Sequence, residues 1–298
     1  MPDRPVVLAV DVGGTKLAAG LVDGSGVILF DAHCETPQQP DPEVVFAALS
    51  SIIDLVLRSG PTAPVVCGVG CGGPMTEGGR TVSPLNIPAW REFPLLSRLE
   101  SLVRLPTTVD NDAKALALGE GWRGAAAGLT AYLAMVVSTG VGGGIVLDGR
   151  LLDGAHGNAG HIGHLIVEPD GRLCVCGARG CLEAETSGPS IAAITGRPAA
   201  EAGDEVRRRT GTLVGRAVAS VANLLDLELA VVAGSVALGF GEPFFSAAQQ
   251  EVDARAKLSY SRGTRIVPAG LGADGPLVGA AAVGRRAMLG LAGTSVLG

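Results

Sequence analysis

Four side chains of the types that bind metal ions lie close together in the sequence. They are His164, Cys174, Cys176 and Cys181, with the spacing H-x9-C-x-C-x4-C. One imidazole and three thiolates suit a closed tetrahedral zinc site, which leaves no open position for water. A group of buried free cysteines is the alternative interpretation, because free cysteine is among the most buried residue types. Three cysteines within eight residues favour a structural Zn²⁺ that holds the surrounding loop.

A second group of residues with chemical potential follows a short apolar segment. Asp110, Asn111 and Asp112 come after the predicted strand 105–109 and before a helix predicted to run to about residue 120. The N–H groups and the dipole at a helix N-terminus favour an ionised carboxylate. Such a carboxylate can take the proton of an attacking hydroxyl group in a phosphoryl transfer. Asp112 is therefore a candidate base; alternatively, the three residues only cap the helix.

Glycine-containing turns at strand ends offer backbone N–H groups that can surround a phosphate. These turns are 11–16, 138–144 and 233–235. The first turn joins two predicted strands, so it is not a P-loop, which needs a helix behind its Lys-Ser/Thr pair. It still offers Thr15 and Lys16 to a polyphosphate, and Asp11 could reach Mg²⁺ through water. An ordinary structural turn is the alternative for each of the three.

The segment 68–73 matches the pattern G-x-G-x-x-G of dinucleotide-binding folds. Pro74 follows at once, no helix is predicted to open there, and no strand-end carboxylate stands about twenty residues later. We therefore reject dinucleotide binding, while a close approach of this backbone to a sugar or phosphate stays open.

Composition restricts the class of protein further. The 298 residues are 47% hydrophobic and 17% charged, which indicates a globular chain. A net charge of −6 without a basic cluster argues against nucleic acid as a partner. The apolar runs are too short for a signal sequence or a membrane span. The other cysteines, Cys34, Cys67 and Cys71, are scattered, so we expect a cytoplasmic protein without disulfides. We also expect no membrane partner, because the apolar runs are short.

Strand-like and helix-like segments alternate, which predicts an α/β fold in two lobes. Apolar strand, glycine turn, apolar strand and Asp-Gly turn occur near the start and again around residues 133–149. We expect a small N-terminal lobe, 1–110 plus a C-terminal helix at about 285–298, and a larger lobe, 111–284, that carries the zinc loop. The ligand would bind in a cleft between the lobes.

Taken together, the motifs resemble those of the ROK family of sugar kinases, in family order and over nearly the whole chain. The segments are Asp11–Lys16, GVGCGGP (68–74), DNDAKALALGE (110–120), STGVGGG (138–144), GNAGHIGH (157–164) and CVCGARGCLE (174–183). The resemblance implies a two-lobed, actin-like (ribonuclease H-like) ATPase fold. It also implies ATP with Mg²⁺ as donor, 6-phosphorylation of a hexose, and a homodimer.

The resemblance also implies roles for individual residues. Asp112 would be the base. The sugar would contact Gly72, Asn86, Asn111, Asp112, His161, His164 and Glu183. The nucleotide would contact Asp11, Gly13, Gly14, Thr15, Lys16, Ser138, Thr139, Gly140 and Gly142, with Gly234 and Ser235 near the adenosine.

Two positions depart from the family pattern. The usual A-G-E-x-G-H has His161 in place of the Glu, and Lys114 stands where Asn is frequent. A neutral imidazole offers one donor and one acceptor, unlike a carboxylate, so the exchange can change the acceptor sugar. The A-G-H-I-G-H form resembles N-acetylmannosamine kinases of the family; N-acetylmannosamine is therefore favoured, and glucose stays possible.

A repressor and a sugar-binding protein without catalysis are the two alternatives to a kinase. ROK repressors carry a DNA-binding segment before the kinase-like part, and here the first phosphate motif begins at residue 11. A sugar-binding protein without catalysis is the other alternative, and retention of Asp11, Asp112 and both glycine-rich turns speaks against it.

Overall fold

The computed structural model describes residues 5–290. Its first half contains β1 Val7–Val12, β2 Lys16–Val22, β3 Ile28–Glu35, α1 Pro42–Ser59, β4 Val66–Cys71, α2 Leu95–Val103, β5 Thr107–Asn111 and α3 Asp112–Arg123. The second half contains β6 Tyr132–Val137, β7 Val141–Leu147, β8 Arg150–Leu151, α4 Leu182–Thr186, α5 Gly188–Thr195, α6 Asp204–Leu225, β9 Leu229–Ala233, α7 Ser235–Phe240, α8 Glu242–Arg255, β10 Arg265–Pro268 and α9 Gly275–Met288.

These elements form two compact units. The first contains the described parts of residues 1–124, 153–159 and 271–298, and the second contains residues 125–152 and 160–270. The expected lobe boundary at residue 110 differs from this division, because α3 lies in the first unit and packs against α9. The expected C-terminal segment 285–298 extends beyond the described residues.

The first unit is built on a mixed sheet with the strand order β3-β2-β1-β4-β5. β1 pairs antiparallel with β2 and parallel with β4, and β5 continues the parallel part. β1 is apolar on both faces because helices cover both sides of a sheet of this kind. Leu8 and Val10 pack in the cluster that includes residues of α1, whereas Val7 and Ala9 pack with residues of α9.

The glycines of β4 have a packing role. An ideal Cβ on Gly68 would lie 2.1 Å from the carbonyl oxygen of Ala280 and 2.4 Å from the backbone nitrogen of Gly284, both in α9. Any side chain at Gly68 would therefore push the helix off the sheet. No helix opens after β4 in this structure, where a cis Gly73–Pro74 bond follows instead, in agreement with the rejection of a dinucleotide fold.

The second unit repeats the first sheet's pattern with different strands. Its order is β10-β9-β6-β7-β8, with β6–β7 and β7–β8 antiparallel and β6–β9 and β9–β10 parallel. The same order and directions therefore occur twice in the chain, as the repeated sequence pattern suggested. α6 and α8 pack on each other, and their apolar residues contribute to the core of this unit.

Several boundaries differ from those expected from periodicity. β7 begins at Val141, so the glycines at 142–144 lie in a strand and the predicted turn 138–144 is shorter. The expected strand 105–109 is β5 at Thr107–Asn111, and the helix expected to end near residue 120 runs to Arg123. Among residues 5–290, no helix combines the length and the apolar character that a membrane crossing needs.

Candidate active site

Residues that follow β3 donate hydrogen bonds to the carbonyl groups of the first glycine turn. Within the turn, the N–H of Gly13 donates to the carbonyl oxygen of Lys16 at 3.0 Å. Thr36 donates its hydroxyl to the carbonyl of Gly13 at 2.7 Å and its N–H to that of Thr15 at 3.0 Å. Gln38 donates to the carbonyl of Gly14 at 3.1 Å. Thr15 and Lys16 are exposed and can meet a ligand.

Gly14 lies directly against Asn86. An ideal Cβ on Gly14 would stand 2.3 Å from the Cβ of Asn86, a distance that no side chain could tolerate. The structure therefore brings together a residue expected at the phosphates and one expected at the sugar.

Asp11 ends the apolar run of β1 and lies near the candidate base. The pKa of Asp11 is raised from 3.8 to about 7: burial is the largest cause, the negative charge of Asp112 acts in the same direction, and Lys16 opposes both. Two carboxylates with one opposing ammonium favour binding of a cation, since a positive ion would release the proton of Asp11.

Asn111 and Asp112 occupy the start of α3. The Oδ1 of Asn111 accepts from the N–H of Ala113 at 3.0 Å, so this side chain is the N-cap of the helix. Asp112 is exposed, and its Oδ1 also accepts from the Ala113 N–H, at 2.8 Å. Its Oδ2 is 3.9 Å from an ideal Cβ on Gly72. Capping thus accounts for Asn111, while Asp112 keeps a carboxylate oxygen next to a residue without a side chain.

The second turn connects to the start of α7. The N–H of Ser138 donates to the carbonyl of Gly140 at 2.9 Å, and the hydroxyls of Ser138 and Ser235 are 2.9 Å apart. Gly234, with φ +100°, precedes Ser235, and an ideal Cβ on it would lie 2.3 Å from the carbonyl oxygen of Val137. Thr139 is exposed. The glycine segments 138–144 and 233–235, both predicted to bind the nucleotide, are therefore neighbours in the second unit.

Glu183 has a partner that sequence reasoning missed. Its Oε2 accepts from the N–H of Val141 at 2.9 Å, at the point where the second turn becomes β7. The two residues are 42 positions apart, and no local pattern relates them. Glu183 therefore links the cysteine-containing segment to the second glycine turn.

The turn that carries His161 and His164 packs closely against the backbone of β7. An ideal Cβ on Gly160 would lie 2.3 Å from the carbonyl oxygen of Gly143, and one on Gly163 would lie 2.1 Å from that of Val141. His161 is exposed just before the short 3₁₀ turn Ile162–His164. Close backbone packing, and not a turn, explains Gly143, whose ideal Cβ would lie 3.1 Å from the carbonyl oxygen of Gly160.

The predicted metal ligands come together in the second unit. The candidate ligand atoms of His164, Cys174, Cys176 and Cys181 all lie within 4.8 Å of one another. The Sγ atoms of Cys176 and Cys181 are 3.7 Å apart, as are the Sγ of Cys174 and the Nδ1 of His164. Tetrahedral Zn–S bonds of about 2.3 Å place sulfur atoms about 3.8 Å apart, so this arrangement fits zinc.

Charged groups hold the cysteine-containing loop onto α6. The buried Glu185 accepts from the N–H of Arg172 at 2.7 Å through Oε1 and from Arg209 at 2.6 Å through Oε2. Arg216 donates to Glu168 at 2.6 Å and to the carbonyl of Val167 at 2.7 Å.

Comparison with known proteins identifies the family. The ROK family model matches residues 7–287. The chain belongs to the ROK family. The N-acetylmannosamine kinase of Escherichia fergusonii is 37% identical over 250 residues, which cover 78% of this chain and 84% of that protein.

Two solved structures of ROK proteins are close to this one. The ROK hexokinase of Thermus thermophilus has a TM-score of 0.82 and 32% identity, with 96% of this chain and 99% of that chain covered. The ROK glucokinase of Streptomyces griseus, in complex with glucose and AMPPNP, has a TM-score of 0.81 and 30% identity, with 94% and 99% covered. The expected actin-like α/β fold is thereby confirmed.

Proposed function

We propose that this chain is an ATP-dependent sugar kinase that phosphorylates the 6-hydroxyl of a hexose, with N-acetylmannosamine as the preferred acceptor. Membership of the ROK family and the kinases named above support the kinase activity. The alternative, a sugar-binding or repressor-type protein without catalysis, has less support because these relatives are kinases. The observation that carries the choice of acceptor is His161 in the place of the family's usual Glu.

Asp112 accepts the proton of the sugar hydroxyl in this mechanism. Its Oδ1 accepts from the N–H of Ala113, and its Oδ2, near Gly72, receives the proton. Phosphoryl transfer depends mainly on alignment and charge stabilisation, and a positioned carboxylate assists deprotonation of the nucleophile.

The two glycine turns hold the nucleotide. Residues 11–16 and 138–142 contact the phosphates through N–H groups, hydroxyls and Lys16, and Gly234 with Ser235 lies near the adenosine. When bound, Mg²⁺ neutralises charge that develops on the phosphates. Asp11 would hold this ion, in keeping with the nearby carboxylate of Asp112 and the raised pKa of Asp11.

The sugar contacts residues from several segments. Asn111 uses Nδ2, because its Oδ1 caps α3. His164 uses Nε2, because its Nδ1 faces the cysteines. The other predicted contacts are Gly72, Asn86, His161 and Glu183. A structural Zn²⁺, which His164 and the three cysteines would hold, would fix the ring of His164, since a metal on one ring nitrogen orients the other.

The broader properties are also proposals. We propose a homodimer in the cytoplasm that binds neither nucleic acid nor membrane. The net charge of −6 speaks against a nucleic-acid partner, and the six free cysteines suit the reducing cytoplasm. The homodimer rests on the family resemblance alone.

The first test is an ADP-release assay with ATP, Mg²⁺ and each of glucose, mannose, N-acetylglucosamine and N-acetylmannosamine. We expect the highest kcat/KM for N-acetylmannosamine. His161→Glu should shift the ratio of kcat/KM values toward glucose by roughly 10- to 100-fold, because hydrogen-bonding partners of a sugar hydroxyl discriminate strongly.

The His33→Glu variant, at an exposed position of β3, is the matched control and should leave the ratio unchanged. A wild-type preference for glucose would refute His161 as the specificity residue and keep the kinase. No turnover with any of the four sugars would count against the kinase proposal itself.

A further inference from the structure

A buried lysine lies next to the candidate base in a cluster of four charges. Lys114, on α3, is only 3% exposed. Its Nζ is 2.6 Å from the Oδ1 of Asp153 and 3.2 Å from the Oδ1 of Asp110. Arg286, near the end of α9, donates to the Oδ2 of Asp153 at 2.9 Å and lies 3.9 Å from the Oδ2 of Asp110. The four charges balance, and all belong to the first unit.

The cluster acts directly on the backbone of the sugar-binding junction. The same Oδ1 of Asp110 that contacts Lys114 also accepts from the N–H of Asn111 at 2.8 Å. The Oδ1 of Asn111 in turn accepts from the N–H of Ala113, at 3.0 Å, and more weakly from that of Lys114, at 3.4 Å. Through Asp110, Lys114 therefore helps to fix the backbone at the end of β5 and in the first turn of α3, which carry Asn111 and Asp112.

Lys114 also holds the loop 153–159. Besides Asp153, its ammonium donates to the carbonyl of Gly157 at 3.3 Å, and the loop is closed by the N–H of Ala159 donating to the carbonyl of Asp153 at 3.0 Å. His156 and Asn158, both exposed, stand on this loop, and the Asn158 amide donates to the carbonyl of His156 at 3.0 Å. One ammonium thus connects the loop to the junction of β5 and α3.

We propose that Lys114 is a positioning residue of the phosphoryl transfer, which keeps Asn111, Asp112 and the loop 153–159 in one geometry. This inference rests on the proposed function. Burying a charge is unfavourable, and a methionine of similar length would fill the same space without desolvation. A buried ion pair of this kind offers directional bonds, and a placement error of about 1 Å at a reacting group can lower a rate about 100-fold.

Kinetics of three variants separate positioning from stability. Lys114→Met should lower kcat about 10- to 100-fold and leave the KM for ATP within about twofold. Asp153→Asn should also lower kcat, and it leaves the buried Lys114 in place. The double variant Asp110→Asn with Lys114→Met restores charge balance, so its thermal stability should recover toward wild type while kcat stays low. Arg98→Met, which breaks the exposed ion pair with Glu43, is the control and should keep wild-type kcat.

Recovery of kcat together with stability in the double variant would overturn the inference, because charge balance alone would then be the role of Lys114. Hydrogen exchange supplies a readout that does not need an acceptor sugar. We expect faster exchange of amides 111–114 and 153–159 in Lys114→Met and in the double variant, but not in Arg98→Met. Unchanged exchange at both segments would also overturn it, whereas wild-type protein that phosphorylates no sugar would refute only the proposed kinase.

Discussion

At the scale of single residues, the proposed chemistry depends on Asp11 and Asp112, which lie near the same glycine at the ends of β1 and β5. An ideal Cβ on Gly70 would lie 3.7 Å from the Oδ1 of Asp11 and 3.8 Å from the Cα of Asp112. Asp11 is at the end of β1, whereas Asp112 is exposed at the start of α3. The buried carboxylate of Asp11 suits cation binding once its proton is lost. The exposed carboxylate of Asp112, at a helix N-terminus, suits proton transfer. The two residues therefore have different tasks.

Removal of the base should affect turnover and not binding. Asp112→Asn keeps the shape of the side chain and loses its basicity, so kcat should fall about 10²- to 10⁴-fold with little change in sugar affinity. Steady-state kinetics combined with calorimetric titration of the sugar measure the two effects separately.

The exposed Asp54 of α1 provides the matched control, since Asp54→Asn removes the same charge on the surface of the first unit. Equal losses of kcat and sugar affinity in Asp112→Asn would show that this side chain binds substrate and is not the base.

At the scale of elements, the first glycine turn depends on contacts made by segments distant in sequence. Thr36 and Gln38 bond to its carbonyl groups, and Asn86 touches Gly14. A two-stranded hairpin alone is marginally stable, so these contacts give the turn one conformation.

A side chain at Gly14 should disrupt this packing. Gly14→Ala places a methyl group against the Cβ of Asn86, and we expect a loss of about 1–3 kcal/mol in the free energy of unfolding. The KM for ATP should rise because the turn moves. Urea denaturation and kinetics at varied ATP test both effects.

Gly239→Ala in α7 is the matched control, because no heavy atom lies within 4 Å of its ideal Cβ. Alanine there should leave stability equal or increase it by up to about 1 kcal/mol through helix propensity. An unchanged stability of Gly14→Ala would mean that the turn adapts freely.

The cysteine-containing loop is a second element whose order depends on distant groups. Glu185 and Arg216 bind it to α6, and Glu183 joins it to β7. The proposed zinc would add a crosslink between the 3₁₀ turn at His164 and this loop.

Loss of a metal ligand should lower sugar affinity together with zinc content. Cys176→Ser is expected to reduce zinc below one per chain, to lower the melting temperature and to weaken sugar binding, because the His164 ring loses its orientation. Metal analysis and calorimetry measure these quantities. Cys34→Ser, outside the cluster, is the control, and a zinc content that stays at one per chain in Cys176→Ser would contradict the ligand set.

At the scale of the whole molecule, the pKa of Asp11 makes global stability depend on pH. Its pKa is about 7 in the folded chain and near 3.8 when exposed, so the folded state keeps the proton between these values. The contribution to stability is complete below pH 3.8 and is lost as pH rises through about 7. Asp112 and Lys16 are the charged groups that modify this shift, in opposite directions.

Asp11→Asn should remove the loss of stability that accompanies rising pH. Without nucleotide or Mg²⁺, the free energy of unfolding of the variant relative to wild type should increase from pH 5 to pH 8, on the order of a few kcal/mol. Urea denaturation at several pH values measures the difference, with Asp54→Asn as control. Parallel curves for wild type and Asp11→Asn would show that Asp11 stays ionised in the folded chain.

Local patterns determined much of this protein. The hairpin around 11–16, the capped start of α3 and the clustering of His164, Cys174, Cys176 and Cys181 were all predicted, because short-range hydrogen bonds and close spacing define them. The repeated strand and glycine pattern also indicated two similar sheets, which have the same strand order here. The family resemblance rested on these same segments and was confirmed.

Tertiary structure decided which distant groups meet. Lys114 contacts Asp153 across 39 positions and Arg286 contacts Asp153 across 133, while Glu183 reaches Val141 across 42. It also decided that glycines 68 and 143 serve backbone packing. No local pattern encodes such pairs, because a contact between distant residues depends on how sheets and helices pack, and a side chain's type reveals its capacity for a bond but not its partner.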